Sequence, residues 1–255
     1  MPIVKVLVLR APGSNCDGEL KFAFELAGGR ADLVHVNQLR ERPALLQKYQ
    51  ILAIPGGFTY GDDVAAGKIL AVTLQHFLGD ALRQFRDREK LILGVCNGFQ
   101  VLLKAGVLLT PDLDDGPLAT LTHNEPPGFQ DRWVWLDSRP GKCPFLRGVD
   151  RLFVPIAHGE GRFACRAGWI LRGLEQSGQV VLRYSGIVDQ PELRNPNGSD
   201  GDVAGLCDAT GRVLGLMPHP ERHVLPVQHP HWTRLGLAAE GDGLRLFRNA
   251  IEFFD

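Results

Sequence analysis

An apolar run from Val4 to Leu9, interrupted only at Lys5, opens the chain and ends in Arg10-Ala11-Pro12-Gly13-Ser14-Asn15. Such a run reads as a strand buried on both faces and followed by a loop. From about Asp17 the period becomes helical, with Leu20, Phe24 and Ala27 on one face until Gly28-Gly29 stops it. Leu33–Val36 and Ile51–Ile54 read as the next two strands. Between them, Pro43 suits the first turn of a helix ending near Lys48. The strongest helical period follows, with Leu70, Leu74, Phe77, Leu78, Leu82 and Phe85 forming one core-facing stripe. The charge-dense stretch from Arg83 to Lys90 is the solvated end of that helix. Leu91–Val95 is another buried strand, and Phe99 to Ala105 a helix stopped at Gly106. Strands and helices alternating at this spacing predict an α/β fold: an open, mostly parallel, flavodoxin-like sheet with flanking helices.

Beyond Leu109 the pattern changes. Trp133–Leu136, Phe153–Ala157, Val180–Tyr184, Val203–Cys207 and Val213–Met217 read as short strands between Gly/Pro-rich turns. The stretch from Ser185 to Asp202 reads as an ordered surface loop, and Leu244, Phe247, Ile251 and Phe254 as a closing amphipathic helix. No repeat, low-complexity tract or linker divides residues 1–255, which read as a single domain.

Composition narrows the class. A chain of 255 residues, 44% of them hydrophobic, is long enough to bury a core without disulfides or metal. Twenty-eight basic against twenty-nine acidic residues give a net charge of −1, which supplies no general pull toward nucleic acid or an anionic membrane. The five cysteines, Cys16, Cys96, Cys143, Cys165 and Cys207, are odd in number and show no paired spacing, against a disulfide framework. Neither a signal peptide nor an apolar run of about 20 residues is present. A reducing cytoplasm is the expected location.

Gly94-Val95-Cys96-Asn97-Gly98 sets a cysteine at a strand-to-helix junction with glycine two residues away on each side. That is the layout of a nucleophile elbow, where small neighbours permit a tight turn and the helix N-terminus favours the thiolate. The Asn97 N–H points where an oxyanion would form. Met217-Pro218-His219-Pro220-Glu221 supplies a base and its orienting group, since i and i+2 point the same way in an extended segment. A metal reading of His219, His223, His229 and His231 is disfavoured, because helical ligand spacing needs a helix that Pro218, Pro220 and Pro226 oppose; His229 and His231 read as surface loop residues. After the third strand, Pro55-Gly56-Gly57 lets the backbone approach a ligand and suits the second half of an oxyanion hole. Gly61 to Ile69 fails as a phosphate loop in spacing and final residue, and no dinucleotide fingerprint occurs. Cys16, after the first strand but without an elbow, is the second candidate nucleophile.

Gly94-Val95-Cys96-Asn97-Gly98-Phe99-Gln100 together with His219-Pro220-Glu221 resembles the class I glutamine amidotransferases. The resemblance implies that Cys96 attacks the side-chain amide of L-glutamine and passes through a glutamyl thioester, with His219 as base and then acid and Glu221 as its orienter. It puts the oxyanion hole at the N–H groups of Gly57 and Asn97, lets Gln100 line the glutamine pocket, and implies no metal. Pro12–Asp17, Pro55–Asp62, Ala157–Gly161, Asn195–Ser199 and Met217–Arg222 are similar to the free-standing glutaminase subunits of phosphoribosylformylglycinamidine synthases. Those imply no cofactor on this chain, with ATP and magnesium on a separate synthetase (large) subunit and a small bridging subunit between the two. The segments 111–148 and 223–240 read as longer than such a subunit needs, and Cys16, His158 and Glu160 are left without a role. Two other readings stay open: an amidotransferase feeding another synthetase (GMP, CTP or carbamoyl phosphate), and a non-catalytic scaffold.

Overall fold

The apolar runs become strands of one large sheet in the computed structural model, which describes residues 3–112, 114–139, 141–186 and 194–255. Its nine strands lie in the order β2-β1-β3-β4-β11-β10-β9-β6-β7. Five neighbours, β2 (Arg30–His35), β1 (Lys5–Arg10), β3 (Ile51–Ile54), β4 (Leu91–Val95) and β11 (Val213–Leu216), pair in parallel. The remaining strands, β10 (Val203–Cys207), β9 (Val180–Ser185), β6 (Gln130–Ser138) and β7 (Arg151–His158), extend the sheet by antiparallel pairing. Only β10 and β6 therefore run against the rest, and the mostly parallel sheet expected from the alternation is present. β1, β3, β4 and β11 each have four or more consecutive buried residues, as strands covered on both faces must.

The helices are α1 (Asp17–Leu26), α2 (Val36–Glu41), α3 (Lys68–Asp87), α4 (Asn97–Lys104), α5 (Gly168–Gln176), α6 (Trp232–Leu235) and α7 (Leu244–Glu252); they flank the sheet, except for the short, exposed α6. In α3 the buried face is Leu70, Ala71, Leu74, Leu78, Leu82 and Phe85. Phe77 departs from the predicted stripe: it is exposed, with the Arg40 guanidinium 4.2 Å from its ring centroid. Val36, expected to end β2, starts α2 instead, under a capping box closed by His35 and Gln38. A two-stranded ribbon of β5 (Ala119–Thr122) and β8 (Arg162–Cys165) was not predicted, nor was α5.

The expected surface loop from Ser185 to Asp202 is corrected in part. Residues 187–193 lie outside the described residues, but Asn195–Ser199 is pinned inside the protein. Asn197 and Ser199 are buried; Asn197 Nδ2 donates to the Gly161 carbonyl (2.8 Å), and Ser199 Oγ accepts the Phe163 N–H (3.0 Å). These two polar side chains thus tie Asn195–Ser199 to the start of β8.

Candidate active site

The carboxyl ends of β1, β3, β4 and β11 share one edge of the sheet, because parallel strands point the same way. Sequence places Cys16, Gly57, Cys96 and His219 just beyond those four ends. Cys96 sits at φ 50°, ψ −107°, a left-handed conformation that costs a non-glycine residue about 1–3 kcal/mol. The turn is over-determined by its glycines. A Cβ at Gly98 would fall 2.0 Å from the Ile54 carbonyl oxygen, and one at Gly94 2.6 Å from that of Gly98. The Cys96 N–H donates to the Leu216 carbonyl (2.8 Å), tying the elbow to β11 only three residues before His219.

His219 and Glu221 are buried, and Nδ1 and Oε1 lie 2.6 Å apart. This pair stands against Cys96: burial would lower the pKa of His219, but the Glu221 carboxylate and the neighbouring thiols outweigh it and hold the value well above the ordinary one. With Nδ1 committed to Glu221, Nε2 is left without a hydrogen-bond partner. β7, the edge strand at the antiparallel end of the sheet, comes back to this site. Its Pro155 carbonyl accepts the His219 N–H (2.8 Å), and its Ala157 carbonyl lies 3.8 Å from Cys96 Sγ. That return was not visible in the sequence, because strand order does not show which strand curls back.

Two cavities meet at Cys96. One, of about 180 Å³, is bordered by Asn15, Cys16, Gly57, His219 and Arg222. The other, of about 310 Å³, is bordered by Gly57, Asp62, Gln100, His158 and Glu160. Gly57 adopts φ +140°, and a Cβ there would strike the Gly13 carbonyl oxygen at 2.7 Å, so the close approach of these two turns requires glycine. The Asn97 side chain is consumed internally: Oδ1 accepts from Thr59 Oγ1 (2.6 Å), and Nδ2 donates to Asp62 (3.1 Å) and Gln100 (3.0 Å). Gln100 in turn donates to the Glu160 carbonyl (2.6 Å), so it forms the pocket wall with both ends of its amide engaged. Burial raises the carboxyl of Asp62. Asp62 and Glu160 fall in motif stretches singled out above, whereas Asn124, which braces His158, lies in the segment 111–148 and was given no role.

Cys16 is brought closer to the chemistry than its lack of an elbow suggested. Its thiol is buried, accepts from Arg222 Nη2 (3.1 Å) and donates to Asn15 Oδ1 (3.1 Å). Burial pushes this thiol up, against the pull of His219 and Arg222. Donor atoms of Cys16, His219 and Glu221 fall within 4.8 Å of one another, yet Glu221 is engaged with Nδ1 of the imidazole, the arrangement of an acid–base relay. His223 and His229 group away from Cys96. His223 Nδ1 pairs with the Phe153 carbonyl (2.7 Å), and His229, half-buried rather than a free loop residue, packs 5.1 Å from the Phe153 ring.

Residues 3–254 match the family described as the CobB/CobQ-like glutamine amidotransferase domain. The chain is 43% identical to phosphoribosylformylglycinamidine synthase subunit PurQ of Dehalococcoides mccartyi, over 99% of this chain and 98% of the relative. It is 37% identical to the subunit of the same name from Methanococcus maripaludis, with the same two coverages. Among solved structures, that of PurLQS from Thermotoga maritima superposes with a TM-score of 0.76 at 29% identity, covering 100% of both chains. The chain belongs to the glutamine amidotransferase family.

Proposed function

We propose that this chain is the glutaminase subunit of a phosphoribosylformylglycinamidine synthase. What carries the reading is the strained Cys96 elbow beside the 2.6 Å His219–Glu221 pair, on a chain that aligns end to end with that subunit. The Cys96 thiol gives its proton to His219 as the sulfur attacks the carboxamide carbon of L-glutamine, and the N–H groups of Gly57 and Asn97 take the developing oxyanion. His219, held by Glu221, gives its proton to the leaving nitrogen, so ammonia departs and a glutamyl thioester remains. Water then attacks the thioester, its proton passing to His219 and on to the sulfur as glutamate leaves. The balance is glutamine plus water to glutamate plus ammonia. Cys16 stays a buried thiol beside the imidazole and forms no bond to substrate.

Ammonia released into water at neutral pH becomes ammonium and is lost as a nucleophile, so delivery needs a docked partner. The reading gives that role to a synthetase subunit that binds ATP and magnesium and converts formylglycinamide ribonucleotide to the amidine. A small bridging subunit joins the two, and the work is done in the cytoplasm. No helix among the described residues is long and apolar enough to cross a membrane. The test is glutamate release from glutamine, with and without the synthetase partner, its nucleotide substrate and ATP–magnesium. Release that rises with the partner and matches amidine formation is expected. Release that ignores the partner would leave the thiol chemistry standing and sink the pathway, and none in either case would favour a scaffold.

A further inference from the structure

We propose that Thr59 is a positioning residue: through Asn97, its hydroxyl sets the spacing of the two N–H groups that receive the oxyanion. The inference rests on the glutaminase reading above. What carries it is a chain of hydrogen bonds that can run in one direction only. Gln100 Nε2 donates to the Glu160 carbonyl (2.6 Å), so Oε1 is the atom that faces Asn97 (3.0 Å). Asn97 therefore presents Nδ2 to Gln100 and to Asp62 (3.1 Å), and turning its amide over would set oxygen against oxygen at both. Its Oδ1 is left for Thr59 Oγ1 at 2.6 Å, where only a donor can serve. Thr59 and Asn97 are both buried, so a lost donor here leaves an acceptor without its partner.

The Thr59–Asn97 bond joins the two turns that supply the oxyanion hole. Asn97 directly follows Cys96 and opens α4, whose first N–H groups have no partner within the helix. Thr59 lies two residues past Gly57, which borders both cavities at Cys96. Glycine has no Cβ to restrict its torsions, so the direction of the Gly57 N–H is set by whatever holds its turn. On one side that hold is backbone: the Phe58 N–H donates to the Gly13 carbonyl (3.0 Å) and the Tyr60 N–H to that of Pro12 (2.8 Å). Towards the Cys96 elbow the hold is made by side chains, Thr59 with the shorter bond to Asn97 and Asp62 with the longer one. Without the hydroxyl, one half of the hole loosens against the other, while the thiol and the imidazole stay in place.

The experiment compares wild type with Thr59→Val, which keeps the shape and lacks the donor, and with Thr59→Ser, which keeps the donor and lacks a methyl. Glutamine hydrolysis is measured with the synthetase partner present. Alkylation of Cys96 by iodoacetamide, a displacement in which no oxyanion forms, is followed by mass spectrometry. For Thr59→Val, kcat is expected to fall about tenfold, less than for loss of a whole oxyanion donor, with KM within about twofold of wild type. Alkylation stays within about twofold, and Thr59→Ser brings kcat back to within about twofold. An unchanged kcat in Thr59→Val would overturn the proposal, as would a Thr59→Ser as slow as Thr59→Val. So would a rise in KM alone, which marks ground-state binding, or hydrolysis and alkylation falling together, which marks a disturbed elbow. Should Thr59→Val fail to fold, Thr59→Ala is read the same way; if neither folds, the bond supports the fold rather than the hole, and the proposal falls. Wild type that releases no glutamate with the partner would instead sink the glutaminase reading itself.

Discussion

Glu221 is worth more to this site as a charge than as a hydrogen-bond acceptor. Its carboxylate holds the His219 imidazolium in a place where burial alone would strip the proton. Glu221→Gln keeps an oxygen near Nδ1 and removes the charge, so glutamate release with the partner present is expected to fall by about 10²–10⁴. NMR of the imidazole should show it losing its proton at lower pH than in wild type; an unmoved titration would mean that the thiols, not Glu221, set its pKa. The raised value also fixes a pH window. Stabilisation from the protonated imidazole is fully present below the ordinary histidine pKa of about 6.5 and is lost as pH rises through the raised folded value. The stability gap between wild type and variant should therefore narrow on the alkaline side of that value. At this scale the sequence was legible wherever chemistry is local: an elbow, or a His and Glu two apart, announces itself. The role of Cys16 was hidden because Arg222, on a different turn, reaches its sulfur. Asn124 was hidden because its partners are three backbone groups and one ring brought in from 34 to 37 residues away, apart from Gly128.

Elements differ in how they tolerate an added methyl, and two glycines make the contrast. Gly98 lies in the first turn of α4, where a Cβ would sit 2.0 Å from the Ile54 carbonyl oxygen; backbone must move to admit it. Gly98→Ala is expected to cost about 2–4 kcal/mol in chemical denaturation and to slow alkylation of Cys96, since the elbow shifts with the helix. Gly173, exposed within α5, has nothing within 4 Å of its Cβ position. Gly173→Ala should stabilise by about 0.5–1 kcal/mol and leave alkylation unchanged. Equal effects of the two would contradict the packing described. That same glycine helps explain why α5 escaped the sequence reading, since Gly168 and Gly173 dilute its helical pattern. β5 and β8 escaped for a different reason: each is four residues long, too short for alternation to stand out. The buried parallel strands were legible because covering both faces demands unbroken apolar residues, whereas Phe77 shows that a large apolar side chain at helical spacing need not face the core.

For the whole molecule, the question is whether one thiol can be removed without disturbing the rest. The reading divides the overall reaction between two chains, with this one only making ammonia, so loss of Cys96 should uncouple the halves. Cys96→Ala is suited to the test. Alanine has the same Cβ and meets the same φ of 50°, so the elbow keeps its strain and its hydrogen bond to Leu216 while losing only sulfur. The site lies on a sheet edge closed by a returning strand, and that strand does not depend on the thiol for support, since its Ala157 carbonyl meets Cys96 Sγ only at a long 3.8 Å. In the assembled complex, amidine formation from glutamine should drop by at least about 10³-fold, as expected when a covalent nucleophile is deleted. Formation from added ammonium at alkaline pH should stay within about twofold of wild type, because that route bypasses this chain's chemistry. If both routes fell together, Cys96 would matter to docking or folding rather than to bond making, and the division of labour between the chains would have to be redrawn.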